Sequence, residues 1–118
     1  MARILVQDFD LDILSVISFL LIEERHIVLS LTSYHDAIRA AKSFKPDLIL
    51  LDFVGNGNTC TETCNLIKKR SPEVPVIALT CNLNLLEKHS NGCFDDCVEK
   101  PFDIDTIINV VREYSSKS

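Results

Sequence analysis

The sequence predicts an α/β fold in which five helices cover both faces of a single five-stranded parallel sheet. Short apolar segments alternate along the chain with segments of helical periodicity, and each kind occurs five times. The central apolar segments are hydrophobic at every position instead of every second one, which is typical of parallel strands covered on both faces. A length of 118 residues corresponds to one domain, and right-handed crossovers favour a doubly wound open sheet.

The first half of the chain supplies three strands and two helices. The strands are predicted at residues 4–6, 27–32 and 48–51, because these runs are apolar and rich in leucine and β-branched residues. The first helix runs to about Glu24, and Ser33 is placed to cap the second. The residues predicted on the buried faces of these helices are Ile13, Ile17, Leu20 and Leu21, followed by Tyr34, Ala37, Ile38 and Ala41.

The second half supplies two strands and three helices. The strands are predicted at residues 76–79 and 97–98, with a weak helix between them at residues 84–90. Residues 55–58 have the composition of a loop and precede the third helix. The residues predicted to cap the third and fifth helices are Thr59 with Glu62, as a capping box, and Asp103. Their predicted buried faces consist of Cys60, Thr63, Cys64 and Ile67, followed by Ile104, Ile107, Ile108 and Val111.

Charge and hydropathy exclude several classes of partner. Twelve basic and 17 acidic side chains give a formal net charge of -5, which disfavours nucleic-acid binding because phosphate contacts depend on clustered Lys and Arg. No apolar run approaches the roughly 20 residues of a membrane-spanning helix, and the first residues do not resemble a signal peptide. We therefore expect a soluble cytoplasmic domain without a membrane partner.

The cysteines are expected to be reduced thiols. Their number, five, is odd, and nothing in the sequence indicates secretion. The spacings of Cys60 with Cys64 and of Cys93 with Cys97, with His89 nearby, offer a zinc-binding alternative. Zinc ligands are usually spaced more tightly, so structural thiols are favoured. The two other histidines, at positions 26 and 35, are expected to face solvent.

Polar side chains follow four of the five predicted strands. Asp8, Asp52, Thr80 and Lys100 come at the ends of strands one, three, four and five. Because the carboxyl ends of parallel strands meet at one edge, where open α/β sheets bind their ligands, we expect these side chains to converge. Each residue alone is a common cap or surface residue, but together two carboxylates, a hydroxyl and an ammonium group predict a functional site.

Four segments around these residues resemble the receiver domain of two-component response regulators, of the chemotaxis-regulator type. The segments are ILVQD at 4–8, PDLILLD at 46–52, PVIALT at 75–80 and EKPF at 99–102. They occur in the family's order and at nearly its spacings, so the resemblance covers residues 1–118 as one receiver domain. It implies the flavodoxin-like sheet order 2-1-3-4-5.

The resemblance also implies a function. Asp52 would accept a phosphoryl group from a sensor histidine kinase or a phosphotransfer protein, and Mg²⁺ would be held by Asp8, Asp52 and the backbone carbonyl of Val54. Lys100 would pair with a phosphoryl oxygen, while the Thr80 hydroxyl would report the phosphoryl group to an unidentified downstream protein. The peptide bond between Lys100 and Pro101 would be cis. Such a protein is a signalling phosphoacceptor that catalyses transfer onto itself, and not an enzyme in the ordinary sense.

Several positions depart from the family pattern, and two of them bear directly on the mechanism. Phe9 occupies the position of the second metal-binding acid, so Asp10, water, or both must complete the Mg²⁺ site, and we expect weaker binding. Cys97 replaces the family's switch aromatic, which predicts a smaller conformational response to phosphorylation. These departures leave open a pseudo-receiver that binds partners without being phosphorylated. An aspartyl phosphatase is disfavoured, because Phe53 and Val54 supply no second acid beside Asp52.

Overall fold

A computed structural model of the chain describes residues 1–89 and 92–115, and it contains the ten alternating elements predicted from the sequence. The elements are β1 (Arg3–Gln7), α1 (Leu11–Glu23), β2 (Ile27–Leu31), α2 (Tyr34–Phe44), β3 (Leu48–Phe53), α3 (Asn58–Arg70), β4 (Val76–Thr80), α4 (Leu83–His89), β5 (Asp96–Glu99) and α5 (Ile104–Ser115). None of the helices in the described part of the chain is long and apolar enough to cross a lipid bilayer.

All five strands are parallel and lie in the order β2-β1-β3-β4-β5, which confirms the predicted topology. In the central register, Val6 is opposite Leu50, and Leu50 is opposite Ile77. The strands therefore run in step, and their carboxyl ends form one edge of the sheet. The chain segments that leave β1, β3, β4 and β5 all start from that edge.

The two faces of the sheet carry two separate hydrophobic cores. Alternate strand residues point to opposite faces. Thus Val6 and Leu50 pack with α1 and α5, while Leu5 and Leu51 pack with α2 and α3. Because both faces are covered, β3 and β4 are buried along their whole length. This arrangement explains why their sequences are apolar at nearly every position.

The structure corrects the predicted start of α3. The helix begins at Asn58 after its N-cap Gly57, and the Asn56 side chain accepts the Asn58 N–H at 3.0 Å, so the capping box of Thr59 and Glu62 is wrong. Gly57 has a φ angle of 80°, and a Cβ atom there would collide with the ring of Phe53. A tight glycine turn after β3 therefore starts the helix earlier than predicted.

Other helix boundaries follow the sequence closely. The Ser33 hydroxyl accepts the Asp36 N–H at 3.1 Å, and an Asp103 carboxylate oxygen accepts the Thr106 N–H at 2.9 Å, so both predicted caps are confirmed. Helix α4 starts at Leu83, one residue before the prediction. Its predicted last residue, Ser90, lies outside the described residues.

The expectation that all cysteines are reduced is wrong for one pair. Cys64 on the inner face of α3 and Cys93 before β5 form a disulfide, with their Cα atoms 6.5 Å apart. An odd number of cysteines prevents complete pairing but not a single bond, and here the packing of α3 on the sheet brings two distant thiols together. Cys60, Cys81 and Cys97 remain free. Among the described side chains, no three His, Cys, Asp or Glu residues are grouped as metal ligands. The side chain of His89, which belonged to the zinc-binding alternative, lies outside the described part of the structure.

The histidine at position 26 is half-buried, contrary to the expectation that it faces solvent, whereas His35 is exposed as expected. The Nδ1 atom of His26 accepts the Ala2 N–H at 3.1 Å, which requires that nitrogen to be unprotonated. Burial lowers the pKa of His26 below its ordinary value.

We predict that His26 makes the fold less stable in mild acid. Because its pKa is lower in the folded state, the unfolded chain binds the extra proton, and the free energy of unfolding falls as the pH drops from about 7 to about 5. Urea unfolding at these two pH values should show a smaller loss in His26→Gln, whose amide oxygen can still accept the Ala2 N–H. His35→Gln is the matched control, and an equal effect from it would contradict the prediction.

Candidate functional site

Two buried carboxylates and one ammonium group meet at the carboxyl edge of the sheet. The Lys100 Nζ atom lies 2.7 Å from Asp8 Oδ2 and 2.9 Å from Asp52 Oδ1, and so forms an ion pair with both acids. The side chains of Asp8 and Asp52 are almost inaccessible to solvent, while that of Lys100 is 10% exposed. A single cation therefore holds two carboxylates from different strands in one place.

Sheet topology accounts for this convergence. Asp8 immediately follows β1, Asp52 is the fifth residue of the neighbouring β3, and Lys100 immediately follows the edge strand β5. The Lys100 N–H donates to the Thr80 carbonyl at 2.7 Å, which extends the β4–β5 pairing by one residue. The peptide bond that follows Lys100 is cis. The lysine thus starts from the edge of the sheet, and its long side chain reaches back to the two acids.

The charges in this cluster alter two pKa values. Burial raises the pKa of Asp8, and repulsion from Asp52 adds to the rise, while the hydrogen bond from Lys100 opposes it. For Lys100, burial alone would lower the pKa, but its hydrogen bonds to Asp8 and Asp52 outweigh burial and the pKa is raised. The ammonium group therefore stays charged at neutral pH and offsets one of the two negative charges.

The backbone after β1 also contacts both acids. Asp8 Oδ1 accepts the Asp10 N–H at 2.8 Å, and Asp52 Oδ2 accepts the Phe9 N–H at 3.1 Å. The Phe9 side chain is 48% exposed, and its ring lies edge-on to Tyr34 at 5.0 Å between centroids. Phe9 thus fixes Asp52 through its backbone, but its side chain brings an aromatic ring to the cleft and no oxygen ligand.

Two residues that the sequence did not single out hold the main chain of Asp52. The Gln7 side chain is fully buried; its Oε1 accepts the Asp52 N–H at 3.0 Å, and its Nε2 donates to the Thr32 carbonyl at 3.0 Å. The other main-chain polar group of Asp52, its carbonyl, accepts a hydrogen bond from the Tyr34 hydroxyl. Gln7 carried a sequence signal, because an amide at the end of a buried strand needs polar partners. Tyr34 carried none beyond its place on the apolar face of α2.

The fourth predicted site residue, Thr80, lines the same cleft without touching the carboxylates. The cleft has a volume of about 370 Å³, and its walls include Asp52, Thr80 and Lys100. Thr80 is buried, and its hydroxyl oxygen accepts the Asn82 N–H at 3.0 Å. The hydroxyl therefore bonds to the segment that leads into α4, within the cleft but apart from the acid pair.

Cys97 occupies a half-buried position on β5, where the family resemblance places an aromatic ring. It packs against the core that lies between the sheet and α2, α3 and α4. Burial raises the pKa of its thiol, and the nearby Asp96 carboxylate raises it further. The side chain is therefore a neutral, small group at neutral pH.

The residues of the cleft fit a magnesium ion that keeps most of its water. Mg²⁺ in proteins is usually bound by one or two carboxylates together with water and phosphate oxygens, and Asp8 and Asp52 supply two. Val54 also lines the cleft, and its carbonyl accepts the Gly57 N–H at 3.0 Å. One Asp10 carboxylate oxygen accepts the Asp12 N–H at 2.9 Å as the cap of α1. Asp10 thus has a structural role in this conformation, and its role as a metal ligand stays a prediction.

The fold and the cleft define a class of protein: a CheY-type receiver fold with two acids, a hydroxyl and a lysine at the carboxyl edge of its sheet. The family model for the response regulator receiver domain matches residues 4–112. The chain therefore belongs to the response regulator receiver family of two-component systems.

Individual relatives agree with this membership. The transcriptional regulatory protein YvrH of Bacillus subtilis is 34% identical over 104 residues, a match that covers 86% of this chain and 44% of YvrH. The chain thus spans less than half the length of that curated relative. The Thermotoga maritima response regulator TrrA, solved in complex with Mg²⁺-BeF, is 26% identical with a TM-score of 0.86 over 97% of this chain and 99% of TrrA.

A more distant structure supports the fold alone. The chemotaxis response regulator CheY4 of Vibrio cholerae is 22% identical, with a TM-score of 0.86 over 97% of this chain and 98% of CheY4. The likeness to a chemotaxis regulator seen in the sequence motifs is therefore a likeness of architecture.

Proposed function

We propose that Asp52 is the phosphoacceptor of this receiver domain. A phosphohistidine on a sensor histidine kinase or phosphotransfer protein would be the donor. An Asp52 carboxylate oxygen attacks phosphorus, the bond between phosphorus and the histidine nitrogen breaks, and its electron pair returns to the imidazole. The observation that carries the proposal is the Asp52 carboxylate itself, which lines an open cleft while Lys100 holds one of its oxygens at 2.9 Å.

The neighbouring side chains have separate tasks in this proposal. The Lys100 ammonium group offsets the charge that grows on the transferring phosphoryl oxygens, which requires only a small movement within the cleft. Asp8, Asp52 and the Val54 carbonyl would hold Mg²⁺, which supplies further charge neutralisation when bound. Thr80 would rotate its hydroxyl from Asn82 toward the phosphoryl group, which links the site to the start of α4.

The wider role follows from the same proposal. The domain, residues 1–118, would act in the cytoplasm as a signalling phosphoacceptor that promotes transfer onto its own Asp52. Its net charge of -5 fits a protein partner for this domain better than a nucleic acid. The similar response regulator TrrA was solved in complex with Mg²⁺-BeF, which supports the proposal that this domain binds Mg²⁺.

One observation favours a second candidate function. Phe9 brings a half-exposed ring to the cleft where a metal-binding acid is expected from the resemblance. A receiver domain with too little affinity for Mg²⁺ would keep the fold and bind its partners without phosphorylation. The presence of Asp52, Thr80 and Lys100 together in one cleft favours the phosphoacceptor over this alternative.

The test is intact mass after incubation with millimolar Mg²⁺ and acetyl phosphate. We expect the addition of one phosphoryl group, its loss when a chelator is present, and no addition to Asp52→Asn. Asp10→Asn is the matched control, because asparagine caps a helix as well as aspartate and should keep the reaction if Asp10 is only a cap.

Two outcomes of this experiment would contradict the proposal that Asp52 is the phosphoacceptor. No phosphoryl addition to a folded protein would reject the phosphoacceptor and support the second candidate. Addition that persists in Asp52→Asn would show that a different side chain is modified.

A further inference from the structure

A second cleft lies at the opposite end of the sheet from Asp52, between the C-terminal ends of α2 and α3. Its volume is about 540 Å³, which is within the range of about 300–1,000 Å³ typical of small-molecule sites. Its apolar walls come from Ile38 and Ala41 on α2 and from Leu66 and Ile67 on α3. Ile49, a fully buried residue of β3, also lines it. The interior of the cleft is therefore hydrophobic.

The rim of this cleft carries an excess of positive charge. Lys42, Lys45 and Arg70 line it, against the single carboxylate of Glu73. These cations form none of the ion pairs found among residues 1–89 and 92–115. The excess is local, because the whole chain has a net charge of -5. An anionic group at the rim would thus meet three cations that have no acidic partner in the described structure.

The backbone of Lys45, at the edge of this cleft, has a conformation that favours glycine. Lys45 ends α2 in the left-handed conformation, with φ 53° and ψ 63°, which glycine adopts at much lower cost than lysine. The conformation turns the chain from α2 toward Pro46 and β3. A glycine would suit this turn better, so the side chain of Lys45 can be removed there without strain in the backbone.

We propose that this cleft binds a small amphipathic anion, with an apolar body between α2 and α3 and a carboxylate or similar head group at the rim. The apolar walls disfavour a bare inorganic anion, and the three cations disfavour an amphipathic amine. The volume of the cleft lies in the range of small-molecule sites. This site is separate from the phosphoacceptor cleft, and the proposal does not depend on phosphorylation.

The test uses octanoate as the probe and methyl NMR of the full chain as the readout. We expect saturable shifts confined to the methyl groups of Ile38, Ile49, Leu66 and Ile67. Octanol and octylammonium have the same apolar body, so they measure the contribution of the head group. Both should bind more weakly than octanoate, and sulfate alone should not shift these methyl groups.

Two variants test the rim. Arg70→Gln should weaken octanoate binding by about two- to fivefold, as expected for one exposed ion pair, and Lys69→Gln should not, because Lys69 is the neighbouring exposed cation that does not line the cleft. Lys45→Gly should weaken binding similarly while the fold stays intact, because glycine suits the left-handed backbone there.

Several results would overturn the proposal. Octylammonium or octanol binding as tightly as octanoate would remove the role of charge. Equal effects of Lys69→Gln and Arg70→Gln would show that only the overall charge matters. Shifts spread over both hydrophobic cores would indicate loosening of the fold without a defined site.

Discussion

Replacing Lys100 with methionine should lower the free energy of unfolding by about 3–5 kcal/mol at neutral pH, because it leaves two buried carboxylates without their shared cation. Both acids are almost completely buried, and Lys100 is the only cation in ion-pair contact with them among the described residues. Urea unfolding at pH 7 in the presence of a chelator measures the change without interference from divalent metal ions.

The pH dependence of this variant supplies a signature that lost packing alone would not produce. The pKa of Asp8 is already raised in the folded protein, and removing the ammonium group raises it further. A carboxyl group whose folded-state pKa is raised stabilises the fold below its unfolded pKa, and this stabilisation is lost as the pH rises through the folded value. Lys100→Met should therefore regain stability, relative to the wild type, as the pH is lowered.

A double variant and a surface control complete the experiment. Asp8→Asn in the Lys100→Met background removes one of the two facing charges and should recover part of the lost stability at pH 7. Lys69→Met removes an exposed lysine and should change stability by less than about 0.5 kcal/mol. If Lys100→Met were no more destabilising than Lys69→Met, the ion-pair cluster would not contribute to folding.

Replacing Phe9 with aspartate should strengthen Mg²⁺ binding by about 10- to 100-fold, the range typical when a supporting group of a metal site is gained or lost. The new carboxylate would stand beside Asp8 and Asp52 and raise the number of acids that line the cleft from three to four. The Phe9 N–H that donates to Asp52 belongs to the backbone, so the substitution keeps it. Titration calorimetry with Mg²⁺ at neutral pH measures the gain.

Phe9→Asn is the matched control, because an asparagine side chain has nearly the same shape as an aspartate side chain but carries no charge. It removes the edge-on contact with Tyr34, as Phe9→Asp does, and so separates the loss of the ring from the gain of the acid. Equal Mg²⁺ affinities in Phe9→Asp, Phe9→Asn and the wild type would show that position 9 does not face the metal. The second candidate function would then lose the observation that favours it.

Sequence patterns predicted the fold well where burial alone decides the structure. The apolar strands identified the parallel sheet, since both of its faces are covered. The buried face of helix α1 was predicted less accurately. The prediction included Ile13 and Leu20, whereas the buried residues are Leu14, Ile17 and Leu21. Val16, Phe19 and Ile22 are apolar but exposed, so the helix is hydrophobic around most of its circumference and its periodicity does not define one buried face.

In the candidate site, the features that follow from sheet topology were predicted from the sequence, and those that depend on individual side-chain conformations were not. The ends of parallel strands had to meet, which is why Asp8, Asp52 and Lys100 were placed together correctly. The hydrogen bonds of Gln7 and Tyr34 to the main chain of Asp52 depend on rotamers and on the distance between a strand and a helix. Sequence spacing contains no information about either, and the same is true of the Cys64–Cys93 bond, which joins residues 29 positions apart.

The hold of Gln7 and Tyr34 on Asp52 has a mechanical consequence. Both main-chain polar groups of Asp52 are anchored, its N–H to Gln7 at the end of β1 and its carbonyl to Tyr34 at the start of α2. The main chain of β3 is thus held in place at Asp52. If a charged group is added to this site, we expect side chains that can rotate, and not this main chain, to move. Thr80 and Lys100 are such groups, and both lie on the β4–β5 side. We therefore expect the conformational change to extend toward α4 and β5, while β1 and β2 keep their positions.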